Sequence, residues 1–372
     1  MDPIRVGIVG ASPDRGWAVR AHIPALQALP DFRITAVGTS RAESAREAAR
    51  LFGAEHAFTD ARALAEEPEV DLVAITVKAP AHAEPIRLAL AAGKHVYCEW
   101  PLTGHTEGAE ELAALAAATE VHHAVGLQAR YAPAVVRARR LISEGYIGRV
   151  ISATIYSARG MRADTTIPAW AAYTLDHRSG AGMVDIAGGH TLDAVEYLVG
   201  EFADVSARLA IRHPRAVVAE TGAGVEVTSP DQLLLSALTR DGVPVSVHLH
   251  DAKITDGRTR IEISGTAGDL AIVSGQGGAD GLQMSETLLL GARDGGAWSE
   301  LPGENPLAGT NLGIEAGNVA RLYAALAQDI RTGGRTVPDF AHGVHVHRLL
   351  DAVRLSAETG TTLPRPAIQR AG

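Results

Sequence analysis

The sequence predicts an α/β protein in two parts, an N-terminal doubly wound parallel sheet followed by an α+β domain built on a large, open, mainly antiparallel sheet. Three observations predict it. An apolar strand run, Arg5-Val6-Gly7-Ile8-Val9, breaks at Gly10 and Gly16 and resumes as helix-compatible sequence at Ala18. Strand-like and helix-like segments then alternate through about residue 120, the pattern of parallel strands joined by helices. Beyond Gln128 strands dominate, separated by turn signals such as Arg240-Asp241-Gly242 and Thr266-Ala267-Gly268, which point to antiparallel neighbours.

Each element follows from local pattern. Residues 18–29 read as a helix stopped by Pro30, and residues 32–37 as the second strand. Ser40 and Glu43 have capping-box spacing for a helix over 42–51, which Gly53 ends. Residues 70–77 are near-continuously apolar, as a strand covered on both faces requires. A helix over 83–92, Gly93 and a strand over 95–98 repeat the unit; a helix over 107–118 and a strand over 123–126 complete it. In the second part a helix over 133–144 precedes strands at 150–158, 204–211, 232–239, 243–250, 259–264 and 270–273, and helices over 315–332 and 340–359 close the chain. Gly275 to Gly281 read as a loose glycine-rich loop. At 372 residues the chain exceeds one comfortable core, so the boundary is placed at residues 126 and 127, giving domains 1–126 and 127–372 with the closing helices free to pack back on the first.

Composition narrows the function. A net charge of −9 with dispersed Lys and Arg argues against a nucleic-acid footprint. One cysteine, Cys98, excludes an internal disulfide, and no apolar run is long enough to span a bilayer. Because the first strand begins at about Ile4, the expectation is a cytoplasmic protein without a signal peptide.

The opening turn is suited to an anion, since backbone N–H groups at a helix start attract negative charge and glycines admit a pyrophosphate where a Cβ would collide. Its Gly10-to-Gly16 span is longer than the dinucleotide fingerprint and lacks the second glycine. At the end of the second strand, where such units usually carry an acid for the ribose, stands Thr39-Ser40-Arg41. Hydroxyls and a guanidinium bind a 2′-phosphate that a carboxylate repels, so NADP is expected, with NAD as the alternative. The competing reading makes Ser40 a helix cap and Arg41 a solvated side chain. Lys78 follows Thr76-Val77 at the carboxyl end of a strand, where ligands of open α/β sheets gather, although a solvated loop lysine has the same sequence.

Three stretches together, Gly10 to Trp17, Ala91 to Pro101 and Gly180 to Asp193, resemble the glucose-fructose oxidoreductase and inositol dehydrogenase family over nearly the whole chain. Gly16-Trp17-Ala18, Glu99-Trp100, Leu127-Gln128-Ala129-Arg130, residues 142–148 and Gly189-His190-Thr191-Leu192-Asp193 are similar to the branch containing the yeast galactose-regulon repressor. The resemblance implies a nicotinamide-cofactor domain, a second domain carrying the substrate face, and a homodimer or homotetramer through the open sheet. Cofactor contacts are then expected at Gly10, Ala11, Ser12, Gly16, Trp17, Thr39, Ser40, Arg41, Thr76, Val77, His82, Glu99, Trp100, Pro101 and Gln128.

In that family a Glu-Lys-Pro triplet lies where Glu99-Trp100-Pro101 lies here, and Asp185, His190 and Asp193 match its Asp, His and second Asp, with one residue more than the common spacing between Asp185 and His190. Alcohol oxidation needs a group to carry the hydroxyl proton as hydride moves. Trp100 cannot, because its indole N–H does not titrate in range, but its ring can stack on a nicotinamide or wall a pocket. The proton role passes to His190, which Asp193 would orient unless Asp193 itself titrates; Lys78 is the third candidate. Tyr156, Arg159, Trp170, Tyr173 and Arg178 are candidates for a polar, stacking pocket that takes a sugar-like substrate. His248 and His250 share a strand face but have no third ligand nearby in sequence, so no metal is predicted. The expected activity is NADP-dependent oxidoreduction of a sugar, cyclitol or related small carbonyl or hydroxy compound. The alternatives are a catalytically silent NADP-binding regulator acting through a protein partner, or NAD-assisted glycoside cleavage.

Overall fold

The computed structural model describes residues 2–161, 165–274, 281–303, 307 and 310–364, so the glycine-rich loop falls, but for Gly281, outside the described residues. The chain divides into two compact units, residues 1–128 with 307–344, and 129–306 with 345–372.

In the first unit six parallel strands, β1 (Ile4–Val9), β2 (Phe32–Gly38), β3 (His56–Phe58), β4 (Leu72–Ile75), β5 (His95–Glu99) and β6 (His123–Gly126), form one sheet in the order β3-β2-β1-β4-β5-β6. Val6, Ile8, Ala74, Ile75 and Val96 are fully buried, which explains their unbroken apolar runs: helices cover both faces. Strand order reverses between β1 and β4, the place where ligands of doubly wound sheets bind. The helices are α1 (Ile23–Ala28), α2 (Ala42–Phe52), α3 (Ala61–Glu66), α4 (Ala83–Ala91) and α5 (Thr106–Ala117). β3 and α3 are too short for periodicity to reveal them, and the sequence reading missed both.

The expected single helix over 18–29 is a correction. Ala18–His22 is a π turn, in which the Ile23 N–H reaches back to the Ala18 carbonyl, and only then does α1 begin. Pro24 has no N–H to return to Arg20, so the ordinary ladder is interrupted there in any case.

The second unit opens with α6 (Pro133–Ser143) and β7 (Val150–Ala158). A three-stranded sheet of β8 (Thr166–Ile167), β10 (Arg215–Val218) and β11 (Gly224–Glu226) encloses its own small core of Ile167, Ala171, Leu175, Ala216 and Val227. The main sheet has nine strands in the order β17-β16-β15-β14-β7-β13-β12-β9-β18: β9 (Phe202–Ala210), β12 (Gln232–Thr239), β13 (Pro244–His250), β14 (Arg258–Gly265), β15 (Gly268–Ser274), β16 (Thr287–Arg293), β17 (Ser299–Glu300) and β18 (Leu363–Pro364) join β7. It is antiparallel except where β7 and β13 run parallel. Leu233, Leu235 and Ala237 on β12 are buried while Leu234 and Leu238 are exposed, so one face is covered and the other open. α7 (Gly189–Val199) belongs to the second unit and α8 (Ile314–Thr332) to the first, and the division at Val344 falls inside α9 (Phe340–Thr359).

Candidate functional site: a dinucleotide cradle and a buried acid–histidine helix

In the first unit, Gly10 has φ +99°, and a Cβ there would stand 2.9 Å from Val77 Cγ1 and 3.0 Å from Thr76 Oγ1. Only glycine lets the turn lie on the end of β4. The Gly10 and Ala11 N–H groups donate to the Gly38 carbonyl at 2.9 and 3.1 Å, docking the same turn on the end of β2. Gly16, with φ +96°, has open space around its missing Cβ, so it supplies conformation and not clearance. Ser12 Oγ donates to Asp14 Oδ1 at 2.8 Å, which lowers the Asp14 pKa, with the charges of Arg15 and Arg41 acting in the same direction. The fold therefore brings Arg41 to the loop that the sequence placed 25 or more positions earlier. Trp17 is half-buried, with the Arg20 guanidinium 5.9 Å from its ring centre.

Ser40 does not cap α2. The N-cap is Arg41, without a side-chain bond, and the hydroxyls engaged there are Thr39 Oγ1, which donates to the Arg41 carbonyl at 2.9 Å, and Ser44 Oγ, 2.7 Å from Thr39. Ser40 and Arg41 are left exposed beside the helix start. Thr76 Oγ1 donates to the Val9 carbonyl at 2.9 Å, tying β4 to β1. His82 is buried with Nε2 2.9 Å from the Val77 carbonyl and Nδ1 2.9 Å from the Pro101 carbonyl; burial pushes its pKa down. It braces the two strand ends. Lys78 is exposed at the start of a short turn. Trp100 is 5% exposed, its peptide bond to Pro101 is cis, and Gln128 is 2% exposed.

Two residues of this unit were missed by sequence reasoning. His22, in the π turn, places Nε2 2.9 Å from Glu99 Oε1 and Nδ1 2.8 Å from the hydroxyl of Tyr323 on α8. No local signal marks Tyr323, which is 301 positions from its partner.

In the second unit the extra residue between Asp185 and His190 has a structural cause. Val184–Gly188 is a π turn, with the Gly188 N–H donating to the Met183 carbonyl at 2.9 Å, and it absorbs one residue without displacing α7. Asp185 accepts from the Gly182 N–H at 3.0 Å and pairs with Arg354; burial raises its pKa, and those partners oppose the rise. His190 is 3% exposed. Asp193, fully buried, accepts from Arg130 through both oxygens, with Nε at 2.9 Å. Its carboxylate is compensated by a guanidinium. Arg130, quoted only as part of a motif, is the partner the sequence reading missed.

The five candidate substrate side chains have different surroundings among the described residues. Tyr156 lies on the open sheet face with His248 and His250, in a depression of about 470 Å³, its hydroxyl 3.2 Å from His250 Nε2. Arg159 donates from Nε and Nη2 to the two oxygens of Asp251, at 2.6 and 2.7 Å. Trp170 is 61% exposed, Tyr173 is half-buried, and Arg178 pairs with Asp176 on an exposed turn. Among the described residues the one group of three potential metal ligands is Glu55, His56 and Glu69, a surface cluster in the first unit.

Residues 4–127 match the oxidoreductase family with an NAD-binding Rossmann fold, and residues 133–274 match the C-terminal domain of Gal80p. The dehydrogenase aclE of Aspergillus oryzae is 34% identical over 262 residues, 66% of this chain and 70% of its own length. The chain belongs to the Gfo/Idh/MocA oxidoreductase family. A super-repressor mutant of Gal80p from Saccharomyces cerevisiae superposes with a TM-score of 0.86 at 27% identity over 98% of each chain. A levoglucosan dehydrogenase in complex with NADH and L-sorbose does so with a TM-score of 0.85 at 26% identity, over 99% of this chain and 100% of that one. Within the family, the chain resembles the Gal80 branch. Among the described residues no helix is long and apolar enough to cross a membrane.

Proposed function

We propose that the protein is an NADP-dependent oxidoreductase acting on a sugar, cyclitol or related small carbonyl or hydroxy compound. The observation that supports it is the Gly10 turn at the reversal of strand order, docked on the ends of β2 and β4, with the exposed Arg41 and Arg15 beside it to offer charge for a phosphate. The bound nicotinamide supplies hydride acceptor or donor chemistry. In this reading Gly10, Ala11, Ser12, Gly16 and Trp17 cradle the dinucleotide, Thr39, Ser40 and Arg41 read its adenosine end, and Glu99-Trp100-Pro101 stands at the nicotinamide. Thr76, Val77 and His82 hold the cradle in shape. His190 carries the substrate proton in place of the family lysine. A sugar-like substrate is supported by the relative that binds L-sorbose with NADH.

A second reading, a cofactor-binding regulator without hydride transfer, is favoured by Trp100 and by the likeness to Gal80p. NADPH deuterated at C4, incubated with a panel of sugar and keto compounds, separates the two. Transfer of label supports the enzyme; tight NADPH binding with no transfer to any compound supports the regulator. In the enzyme, His190→Asn lowers transfer by about 100-fold while NADPH affinity stays within about twofold; unchanged turnover removes His190 from the proton step.

A further inference from the structure

Resting on the cofactor reading above, we infer that Tyr323, His22 and Glu99 form a buried relay that positions the Glu99-Trp100-Pro101 turn for the nicotinamide cofactor. Tyr323 and His22 are 0% exposed and Glu99 is 8% exposed. The carboxylate only accepts, so His22 Nε2 carries the ring hydrogen toward Glu99 at 2.9 Å, and Nδ1 is left to accept from the Tyr323 hydroxyl at 2.8 Å. One direction of donation runs through all three groups.

The surroundings keep the relay dry. Tyr97 stacks on Tyr323 at 4.5 Å between ring centres, His22 meets the Tyr97 ring edge-on at 5.1 Å, and Phe32 lies 5.3 Å from Tyr323. Gly126 makes room for the carboxylate: a Cβ there would stand 2.8 Å from Glu99 Oε1. Hydrogen bonds in such a site are strong and costly to leave unmade. Acid, imidazole and hydroxyl follow one another as in hydrolytic triads, but the Tyr323 hydroxyl has no exposure and burial pushes its pKa well above its ordinary value, so it is no nucleophile. What remains is placement. His22 ends the π turn that follows the glycine loop, Glu99 ends β5, and Tyr323 sits on the helix by which the chain returns to the first unit. The relay joins the cradle to the turn that carries Trp100, and His22, Glu99 and Tyr323 are positioning residues.

Glutamine places an amide nitrogen where histidine has Nε2, whereas asparagine places one where histidine has Nδ1. In the full chain, His22→Asn is expected to raise the NADPH dissociation constant about tenfold, and His22→Gln to stay within about threefold of the parent. Tyr323→Phe, which removes one oxygen and keeps the packing, is expected to weaken NADPH about threefold and to carry the comparison should His22→Asn not fold. Ring 15N spectra of the parent are expected to show His22 with its hydrogen on Nε2. Equal losses for His22→Asn and His22→Gln, no loss in Tyr323→Phe, or the Nδ1–H tautomer would each overturn the relay. A parent protein that binds no nicotinamide nucleotide sinks the cofactor reading, while the tautomer still decides the relay.

Discussion

Each compact unit buries a carboxylate among its candidate site residues, and the two compensate it differently. Glu99 in the first unit meets a histidine ring and through it a phenol. Asp193 in the second meets a cation, the Arg130 guanidinium, which lies 5.0 Å from the Tyr197 ring centre. A guanidinium cannot give up its proton, so the second arrangement is a fixed charge pair; a chain of ring and hydroxyl groups fixes orientation through the direction of its hydrogen bonds. The lesson is that the Asp193–Arg130 pair ties α7 to the turn before α6, whereas Glu99 holds the end of β5 in place.

The largest test breaks the charge pair. Arg130→Met leaves Asp193 charged and buried, and is expected to cost about 3–5 kcal/mol in urea unfolding. Adding Asp193→Leu, which removes the stranded charge, is expected to recover at least half of the loss; a single variant costing under about 1 kcal/mol would contradict the assignment.

A smaller effect belongs to the first unit. Burial lowers His95 and His123 each to about 4, and each accepts a backbone N–H at Nδ1, from His122 at 2.9 Å and from Phe340 at 3.2 Å. The unfolded chain binds those protons near pH 6.5 and the folded chain only near 4. Stability from this source is therefore complete above pH 6.5, falls as pH drops toward 4, and levels off below. Discounted for the partial exposure of His95, the pair amounts to about 2 kcal/mol. His56, half-buried and raised by its hydrogen bond with Glu69, acts in the opposite sense. Urea midpoints measured from pH 7 to 4 check the slope, which His123→Gln should flatten; a level profile in the parent would rule it out.

The smallest effect reads binding alone. Arg41→Ala is expected to weaken NADP about tenfold and NAD less than about twofold, with unfolding midpoints unchanged. Equal losses for the two nucleotides would remove the 2′-phosphate contact.

How much was legible follows from the range of each cause. The strand ends carrying Gly10, Thr76 and Glu99 were found because a parallel sheet puts every carboxyl end on one edge, so local pattern sufficed. For the candidate substrate residues local pattern did not suffice, because Tyr156 lies on β7 and Arg159 just beyond its end, and which face of the sheet stays open is settled by what covers the other. The extra residue before His190 was visible in the spacing, but its absorption by a π turn was not.

By itself the sequence determined the alternation of strands and helices, the two-part organisation of the fold and the glycine turn, since these depend on periodicity and on backbone freedom within a few residues. Only the tertiary structure decided which buried group answers which: Arg130 with Asp193 across 63 positions, Arg354 with Asp185 across 169, Tyr323 with His22 across 301. A buried polar group must find a partner, but desolvation does not say where along the chain it lies; the packing of the elements does.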